Sequence, residues 1–411
     1  MVARISVYCH VVTAATAVVV ITGELGMMKI HKVLAFGAVG VFLLASCGGS
    51  DSSSGKALTS LGAGEGQVNL IAWAGYVENG STDPAVDWVT DFETETGCKV
   101  NVKIGNTSDE MVELMQSGEY DGVSASGDAT LRLIAGGDVA PVNTDLIPNY
   151  ANVFEDLKDK QWNSKDGVAY GVPHGRGANV LVYNTEAGPV PDSLSAMFSA
   201  DSPYAGKISV YDSPIYIADA AVYLMATQPE LGITNPYSLD QSQFDAAIAL
   251  LKDQKSRVTQ YWSLYTDQQA SLESGAVTAG TSWQVIVNLA TANGAKIGAV
   301  KTKEGATGWS DTWMISSKAK HPNCMYMWMD HIISPKANAA VAEWFGEAPS
   351  NSESCGLTAD PNHCATYHAA ETAYWADVWY WTTPTSECLD GRSDACVPYT
   401  EWVNAWNELR A

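Results

Sequence analysis

From Val68 onward, short apolar runs alternate with amphipathic segments. The runs have the length and composition of strands, whereas the segments between them repeat apolar residues at helical spacing. The first three runs are VNLIAW (68–73), KVNVKIG (99–105) and YDGVSAS (120–126), and the segments between them are 84–96 and 109–116. Asp83 followed by Pro84 predicts the start of the first helix, and Gly97 predicts its end. This alternation predicts βαβ units around a mostly parallel sheet.

A second block of the same kind begins near Pro173, where we predict a crossing between lobes. The predicted strands are NVLVYN (179–184), KISVYD (207–212), 277–282 and 312–316, and the predicted helices are 217–227, 244–252 and 323–333. A chain of 411 residues exceeds the usual size of one domain. The predicted fold is therefore α/β with two lobes. Residues 67–172 with 310–346 form lobe 1, and residues 173–309 with 347–411 form lobe 2.

The first 47 residues have the order of an export signal. Lys29 and Lys32 precede an apolar run over 33–45, which ends in the tetrapeptide LASC (44–47). This tetrapeptide resembles the bacterial lipobox, in which the cysteine is lipidated, so Cys47 is the predicted lipidation site. Residues 1–46 are then a signal region with its true start at Met27 or Met28, and residues 47–66, rich in Gly and Ser, are a flexible tether.

The apolar run also decides between two kinds of anchor. A retained transmembrane helix needs about 20 apolar residues, and this run is shorter. The sequence therefore favours a lipid anchor and places the protein on the periplasmic or extracellular face of the cytoplasmic membrane.

Cysteine usage agrees with an oxidising location. Of the 8 cysteines, Cys9 and Cys47 precede the globular part, and the others form an even set. Short loops favour the pairs Cys355 with Cys364 and Cys388 with Cys396, which leaves Cys98 for Cys324. The alternative is a metal site that uses Cys364 and His368. No C-x-x-C pair supports it, and we predict no metal.

The balance of charges narrows the class of partner. Asp and Glu number 46 against 23 Lys and Arg, and the resulting net charge of −23 would repel a nucleic acid. The 14 Trp and 18 Tyr supply apolar surface for large cores. The counts disfavour nucleic acid as a partner and give a modest preference for a cationic ligand.

Aromatic and acidic side chains recur where the predicted strands end. In open α/β sheets, ligands bind beyond the carboxyl ends of the strands. A carboxylate beside ring faces suits an alkyl ammonium group, because the carboxylate supplies charge and each ring adds about 0.5–2 kcal/mol of cation–π attraction. The residues at these positions are Trp73, Tyr76, Ser126, Asp128, Asp212, Tyr216, Trp283, Trp309 and Asp311.

Five segments, in the same order over roughly residues 68–350, resemble the spermidine/putrescine-binding proteins of bacterial ABC importers. They are IAWAGYV, YDGVSASGD, YGVPHGRGANVLVYN, AGTSWQ and GATGWSDTWMIS. The resemblance implies a two-lobed periplasmic-binding-protein fold, type II-like, that closes on its ligand by hinge motion and passes it to a membrane permease. It also implies pocket walls at Trp73 and Tyr76, a polar contact at Ser126, ring faces at Trp283 and Trp309, and an amine-holding carboxylate at Asp311.

Several acids depart from the pattern of that family. The family's acidic pair aligns with Ser213 and Tyr216, so the group that holds a second amine is left open. Asp128 stands where the family has a tyrosine, and Glu347 stands near another. We interpret both as replacement acids on the pocket wall, with solvated surface acids as the alternative.

Arg176 is a second kind of departure, because its family counterpart is uncharged and aromatic. A guanidinium group near the hinge would grip a ligand carboxylate through paired hydrogen bonds. Closure is expected to bring Asp212 and Arg176 over the end of the ligand that Asp311 does not hold. The alternative is a structural pair between Arg176 and Asp212.

These features predict the substrate-binding lipoprotein of an ABC transporter, a monomer that captures a polyamine of the putrescine/spermidine class without a cofactor. A pocket with both Arg176 and Asp311 would instead fit a zwitterionic ω-amino acid such as 4-aminobutyrate. A sensory lipoprotein without transport, or a secreted enzyme, is a third possibility. The motifs G-x-S-x-G, H-E-x-x-H and Walker A are absent from the sequence, so no catalytic residue is predicted.

Overall fold

The computed structural model of the protein describes residues 55–411. The predicted signal region (1–46), the start at Met27 or Met28, the lipidation site Cys47 and the first part of the predicted tether lie outside the described residues. Within 55–411, no helix combines the length and the apolar character that crossing a membrane requires.

Strands and helices alternate through most of the described chain. The strands are β1 (Gln67–Ala72), β2 (Lys99–Ile104), β3 (Gly122–Ala125), β4 (Ser164–Lys165), β5 (Val168–Ala169), β6 (Val172–Ala178), β7 (Val180–Asn184), β8 (Ile208–Tyr211), β9 (Val258–Trp262), β10 (Ala279–Ser282), β11 (Ile297–Val300), β12 (Ala306–Ile315), β13 (Ala348–Pro349) and β14 (Val378–Tyr380). The α-helices are α1 (Val89–Thr96), α2 (Ser108–Gln116), α3 (Gly127–Gly136), α4 (Ser195–Phe198), α5 (Ile217–Thr227), α6 (Gln241–Gln254), α7 (Tyr265–Glu273), α8 (Gln284–Ala292), α9 (Pro322–Ile332), α10 (Pro335–Phe345), α11 (His363–Thr366), α12 (Thr372–Trp375) and α13 (Tyr399–Arg410).

Two mixed sheets organise these elements. The first sheet has the strand order β13-β6-β12-β3-β1-β2, with β14 paired to β12, and the second has the order β11-β7-β10-β8-β9. Strand β1 pairs in parallel with β2 and β3, and β8 pairs in parallel with β9 and β10, as the βαβ pattern predicts. Strands β6, β7 and β12 add antiparallel pairs, so the sheets are mixed rather than mostly parallel.

Each sheet is the centre of one lobe with its own buried core. The chain passes from the first sheet to the second at Asn179, between β6 and β7, and returns between Val300 and Ala306. The predicted boundaries at 172/173 and 309/310 therefore fall within β6 and β12. Pro173, which the sequence suggests as the crossing, lies in β6 opposite Thr312.

The last segment of the chain is shared between the lobes rather than assigned to lobe 2. Strands β13 and β14 join the first sheet. Helix α13 packs into the core of the second lobe through Trp402 and Trp406. The C-terminal segment therefore contributes strands to the first lobe and a helix to the second.

Helix α1 begins at Val89, later than the predicted start at Pro84. Asp83 closes a turn instead of capping the helix, because its carboxyl oxygen accepts from the backbone N–H of Ala85 at 2.9 Å and its carbonyl oxygen accepts from Val86 at 2.9 Å. Gly97 ends the helix as predicted, with φ at 71°, a left-handed conformation that favours glycine.

The described residues contain three disulfides, which are the pairs that loop length favours. They link Cys98 with Cys324, Cys355 with Cys364, and Cys388 with Cys396. The first spans 226 residues of sequence, and the other two span 9 and 8. Because the sulfur of Cys364 is in a disulfide, it does not serve the metal site that was the alternative interpretation.

We predict unequal contributions of these disulfides to stability. In the chain-entropy model a cross-link restricts the unfolded chain more when its loop is longer, which gives about 5 kcal/mol for the Cys98–Cys324 bond and about 2.5 kcal/mol for the Cys388–Cys396 bond. Replacement of both Cys98 and Cys324 by Ala should therefore lower the free energy of unfolding in urea by about twice as much as the matched replacement of Cys388 and Cys396. Equal losses would contradict this ranking.

Candidate ligand-binding site

One face of β12 carries the groups of strongest chemical interest. Every residue of this strand is buried, and successive side chains of a strand point to opposite faces. Thr307, Trp309 and Asp311 therefore share one face. The neighbouring strand β6 places Gly177 opposite Trp309 and Gly175 opposite Asp311.

The two glycines of β6 leave room for bulky groups on this face. A Cβ atom at Gly177 would overlap the Trp309 indole, and a Cβ atom at Gly175 would lie 2.5 Å from the carboxyl carbon of Glu347. Neither approach is sterically possible without displacement of the indole or the carboxyl group. The motif H-G-R-G thus provides a flat floor under Trp309 and Glu347.

Two carboxyl groups meet above this floor, bridged by one hydroxyl group. The Tyr76 hydroxyl lies 2.8 Å from Oδ2 of Asp311 and 3.3 Å from Oε2 of Glu347. The Ser126 hydroxyl donates to Oδ1 of Asp311. Asp311 is 3% exposed and Glu347 is 0% exposed. We call Tyr76, Ser126, Asp311 and Glu347 the acid cluster.

The acid cluster has no positive partner among the residues that the structure describes. Among residues 55–411, no lysine or arginine forms an ion pair with Asp311 or Glu347. The indole N–H of Trp313 donates to Nδ1 of His174 at 3.0 Å, so a neutral His174 carries its proton on Nε2, 3.3 Å from Oε1 of Glu347. Burial lowers the pKa of His174 to about 3, so this ring is neutral and supplies no countercharge.

Burial makes both carboxyl groups hold protons more tightly. It raises the pKa of Asp311 from 3.8 to about 6, although the hydrogen bonds from Ser126 and Tyr76 act in the opposite direction. Burial and the charge of Asp311 raise the pKa of Glu347 well above its usual range. These neutral hydrogen-bond donors do not offset two negative charges in a buried site, so a further proton or an external cation would relieve the cluster at neutral pH.

Asp128 is buried rather than a solvated surface acid. It lies in the first turn of α3, is 1% exposed and accepts a hydrogen bond from the Ser108 hydroxyl at 3.0 Å. Burial raises its pKa to about 6, against the opposing effect of Arg132. Its negative charge also acts on Asp311 and raises the pKa of that carboxyl. Asp128 therefore adds to the negative potential around the acid cluster.

A cavity of about 690 Å³, the cleft cavity, has walls from both lobes, and its lining includes none of the four acid-cluster residues. Trp73 and Trp283 meet edge to face across it, with ring centroids 6.1 Å apart. Phe345 also lines it and packs edge-on against Tyr76 at 4.7 Å and Trp309 at 5.7 Å. The rim carries partly exposed apolar side chains, Val102, Leu264, Tyr265, Leu289 and Trp344.

Trp283 also lines a second, smaller cavity of about 10 Å³, which we call the inner cavity. Tyr211 stacks on Trp381 there at 5.7 Å and meets Trp283 at 5.5 Å. Asp219 lines the same cavity from the first turn of α5, and its carboxyl oxygens lie 3.1 and 3.2 Å from Oγ1 of Thr307. The inner cavity therefore combines aromatic rings with one buried acid.

Arg176 does not join the acid cluster. It lies between Gly175 and Gly177 in β6, so its side chain points to the opposite face from Asp311. There it donates to Asp156 at 2.7 Å and to the carbonyl of Ala369 at 2.8 Å, and it lies over the Trp375 ring at 4.3 Å. The structure thus separates Arg176 from the other predicted ligand residues, because a residue between two cluster-facing positions of a strand faces away.

Asp212 also lies away from the cluster. It follows β8, but its carboxyl group accepts from the Trp406 indole at 3.0 Å and from Arg410 at 3.0 Å, both on α13. Asp212 is therefore not part of the acid cluster, and its partner is Arg410 rather than Arg176. Tyr216 does line the inner cavity, and its hydroxyl oxygen accepts from Gln254 at 3.1 Å.

The structure adds residues that sequence reasoning missed. Asp219 carried a signal, because it is an acid within the apolar helix IADAAVYLMAT. Tyr211 and Trp262 end strands β8 and β9. Trp381 follows β14 and reaches the inner cavity from a segment with weak periodicity, and no pattern in the sequence marked it.

Comparison with known proteins identifies relatives of the chain. A family model described as bacterial extracellular solute-binding protein matches residues 87–366. A putrescine/agmatine-binding protein from Pseudomonas aeruginosa is 21% identical over 307 residues, which cover 71% of this chain and 80% of that protein.

Solved structures share the fold. The spermidine/putrescine ABC transporter substrate-binding protein PotD from Streptococcus pneumoniae has a TM-score of 0.64 at 14% identity, over 84% of this chain and 97% of that one. The Atu4243–GABA receptor has a TM-score of 0.62 at 18% identity, over 84% of this chain and 98% of that one. At these identities the likeness shows the two-lobed substrate-binding fold.

We predict that Asp311→Asn stabilises the protein when no ligand is added, at pH 7.5 but not at pH 4. The folded pKa of Asp311, about 6, exceeds the value near 3.8 expected in the unfolded chain, so stability falls as pH rises between these two values. A shift of about two pKa units corresponds to roughly 3 kcal/mol, and Asn removes this penalty. Urea unfolding at the two pH values measures it.

Asp212→Asn is the matched control. It removes an equal charge, but from a carboxylate that Arg410 and Trp406 hold, so it should destabilise the protein at pH 7.5. An Asp311→Asn variant that loses stability equally at both pH values would contradict the proposed electrostatics of the acid cluster.

Proposed function

The chain belongs to the bacterial extracellular solute-binding proteins, and we propose that it captures a polyamine of the putrescine/spermidine class and delivers it to the permease of an ABC importer. One observation carries this proposal: the buried acid cluster has two carboxyl groups and no positive partner in the described chain. An ammonium group of a ligand would donate to Asp311 and take the place of the proton that the cluster otherwise needs.

Aromatic rings near the cluster suit the aliphatic part of such a ligand. Trp73 and Trp283 line the cleft cavity, and Trp309 stands beside Asp311 on the same face of β12. Ring faces pack against methylene groups and attract a nearby cation. The walls therefore complement both the charge and the chain of an alkyl amine.

The relatives support the same class of ligand. The Pseudomonas aeruginosa relative is named for putrescine and agmatine, and the Streptococcus pneumoniae structure for spermidine and putrescine. Both ligand classes are aliphatic amines with more than one cationic group, in agreement with the several buried acids of this chain.

A zwitterionic ω-amino acid is the second candidate, on a different observation. The indole N–H groups of Trp73, Trp309, Trp262 and Trp381 are buried without an acceptor among the described residues. A ligand carboxylate would accept hydrogen bonds from such groups, and the Atu4243 protein is named as a GABA receptor. The arginine that this candidate requires is missing from the site, since Arg176 is held by Asp156 on the other face of β6.

The cellular setting is part of the proposal. We propose a monomer, anchored through lipid on Cys47 at the outer side of the cytoplasmic membrane, that presents its ligand to permease subunits. The alternatives are a sensory lipoprotein with the same fold and a secreted enzyme. Neither has a supporting feature in the described residues, whereas the solute-binding family supports capture of a small molecule.

Cys47→Ser should release the protein from the membrane fraction of the cells that make it. Two or three acyl chains hold a protein stably on a bilayer, and serine has no thiol to receive them. Fractionation of cells and immunoblotting measure the change. Equal amounts of wild-type protein and Cys47→Ser in the membrane fraction would argue against the lipid anchor.

Asp311→Asn should weaken putrescine binding by at least about 100-fold in calorimetric titrations, because loss of one partner of a buried charge pair costs about 3 kcal/mol or more. The background is the soluble Cys47→Ser protein, titrated with putrescine, spermidine, agmatine, 4-aminobutyrate and a sugar. Asp212→Asn, which removes the same charge outside the cluster, should change the affinity less than threefold. Binding of 4-aminobutyrate alone would replace the first proposal with the second candidate.

A further inference from the structure

Asp219 is a second buried acid. It is 6% exposed, and its side chain accepts from the Thr307 hydroxyl, with oxygen–oxygen distances of 3.1 and 3.2 Å. In the part of the chain that the structure describes, it forms no ion pair with a lysine or arginine. Burial raises the pKa of its carboxyl group from 3.8 to about 7. A hydrogen bond from a threonine hydroxyl offsets only a part of the free-energy cost of burying an ionised carboxyl group in an apolar helix.

We propose that Asp219 is a second ammonium site, which selects a ligand with an amino group at each end over a ligand with one. This inference rests on the proposed function and adds the group that holds the far end of the ligand. Asp219 does not stand at the position where the resemblance places the second-lobe acids, which are Ser213 and Tyr216 in this chain.

The surroundings of Asp219 fit an ammonium group in size. The inner cavity has a volume of about 10 Å³, close to the space of one water molecule, and an ammonium group has a similar size. Asn179 also lines this cavity, and its buried Oδ1 atom has no donor in the described part of the chain. Because Nδ2 of Asn179 donates to Thr307 at 2.8 Å, Oδ1 is the acceptor that is left for a ligand.

The rings around the inner cavity fit the charge of the ligand. Tyr211 stacks on Trp381, and Trp262 meets Trp283 edge to face at 5.0 Å. Burial raises the pKa of Tyr211 and Tyr216 well above the usual range, so both are neutral and neither competes for the cation. An aromatic enclosure with one carboxylate is a recurrent way to hold an alkyl ammonium group.

Both acids lie at the same face of β12. Thr307, which contacts Asp219, and Asp311 are on that face four residues apart, which is about 14 Å along the strand at a rise of about 3.4 Å per residue, with Trp309 between them. A diamine that donates to both acids would therefore lie along the Trp309 ring.

A ligand carboxylate is disfavoured at the same place. Within residues 55–411, the indole N–H groups of Trp262 and Trp381 and the hydroxyl of Thr281 have no partner at the inner cavity, and they would donate to an anion. The carboxylate of Asp219 would repel that anion at close range. The ionised Asp219 carboxylate in the inner cavity therefore favours a diamine over 4-aminobutyrate.

The test compares three ligands that differ in one end group: putrescine, n-butylamine and 4-aminobutyrate. They are titrated calorimetrically into the soluble Cys47→Ser protein and into its Asp219→Asn and Asp311→Asn variants. In the protein with Asp219 intact, putrescine should bind at least about 100-fold more tightly than n-butylamine, because loss of a buried, charge-paired hydrogen bond costs several kcal/mol. Asp219→Asn should weaken putrescine binding by at least about 30-fold and change n-butylamine binding less than threefold.

The outcomes distinguish a failure of the proposed function from a failure of the second ammonium site. If no amine binds the protein that retains both acids, the proposed function fails. If putrescine binds and Asp311→Asn abolishes it, but Asp219→Asn leaves it unchanged, the proposed function stands and the second ammonium site is overturned. If Asp219→Asn does not fold, as judged by circular dichroism, the test is the comparison of putrescine with n-butylamine in the protein that retains Asp219. Equal affinities for these two ligands overturn the inference.

Discussion

Burial of carboxyl groups without paired cations is the constraint on which the centre of this protein depends. Asp311, Glu347, Asp128 and Asp219 are each 6% exposed or less. An ionised carboxylate in such a place is unfavourable unless charge or hydrogen bonds offset the loss of water. The hydroxyl groups of Tyr76 and Thr307 offset a part of it. The rest is relieved by protons or by a cation from solution, so the raised pKa values and the proposed affinity for amines have the same electrostatic origin.

The fold tolerates this arrangement because its stability comes from elsewhere. Each sheet has its own apolar core, and three disulfides in the described chain restrict the unfolded state. The strand that carries Asp311 is central in the first sheet, held by β3 on one side and β6 on the other. These neighbours hold Asp311 in place within the sheet, and a ligand that supplied the missing charge would stabilise the folded state by binding to it.

Sequence reasoning singled out the acids at predicted strand ends or in segments that resemble the family. It missed an acid that lies within a helix. Asp311 could be predicted from the sequence, because it lies near a predicted strand end, where α/β sheets bind ligands, and within a segment that resembles the family. The structure turns Arg176 away from the acid cluster, because 172–178 is a strand and alternation directs Arg176 to the face opposite that of Gly175 and Gly177. Asp212 satisfied the strand-end rule, yet α13, distant in sequence, captured it. Asp219 could not be predicted in the same way, because its contact with Thr307, 88 residues away in sequence, is known only from the folded structure.

The placement of the acids also connects ligand capture to the relation between the lobes. Asp311 and Ser126 belong to the first lobe, whereas Asp219 and Trp283 belong to the second, and Asn179 at the crossing bonds to the same Thr307 that holds Asp219. A ligand with one charged end would satisfy a single lobe and leave the acid of the other lobe to its proton. A ligand with two charged ends would neutralise both and gain affinity only when the lobes hold both acids around one chain. Under the proposed function, the contact that would favour a closed form over an open one is the second amine itself.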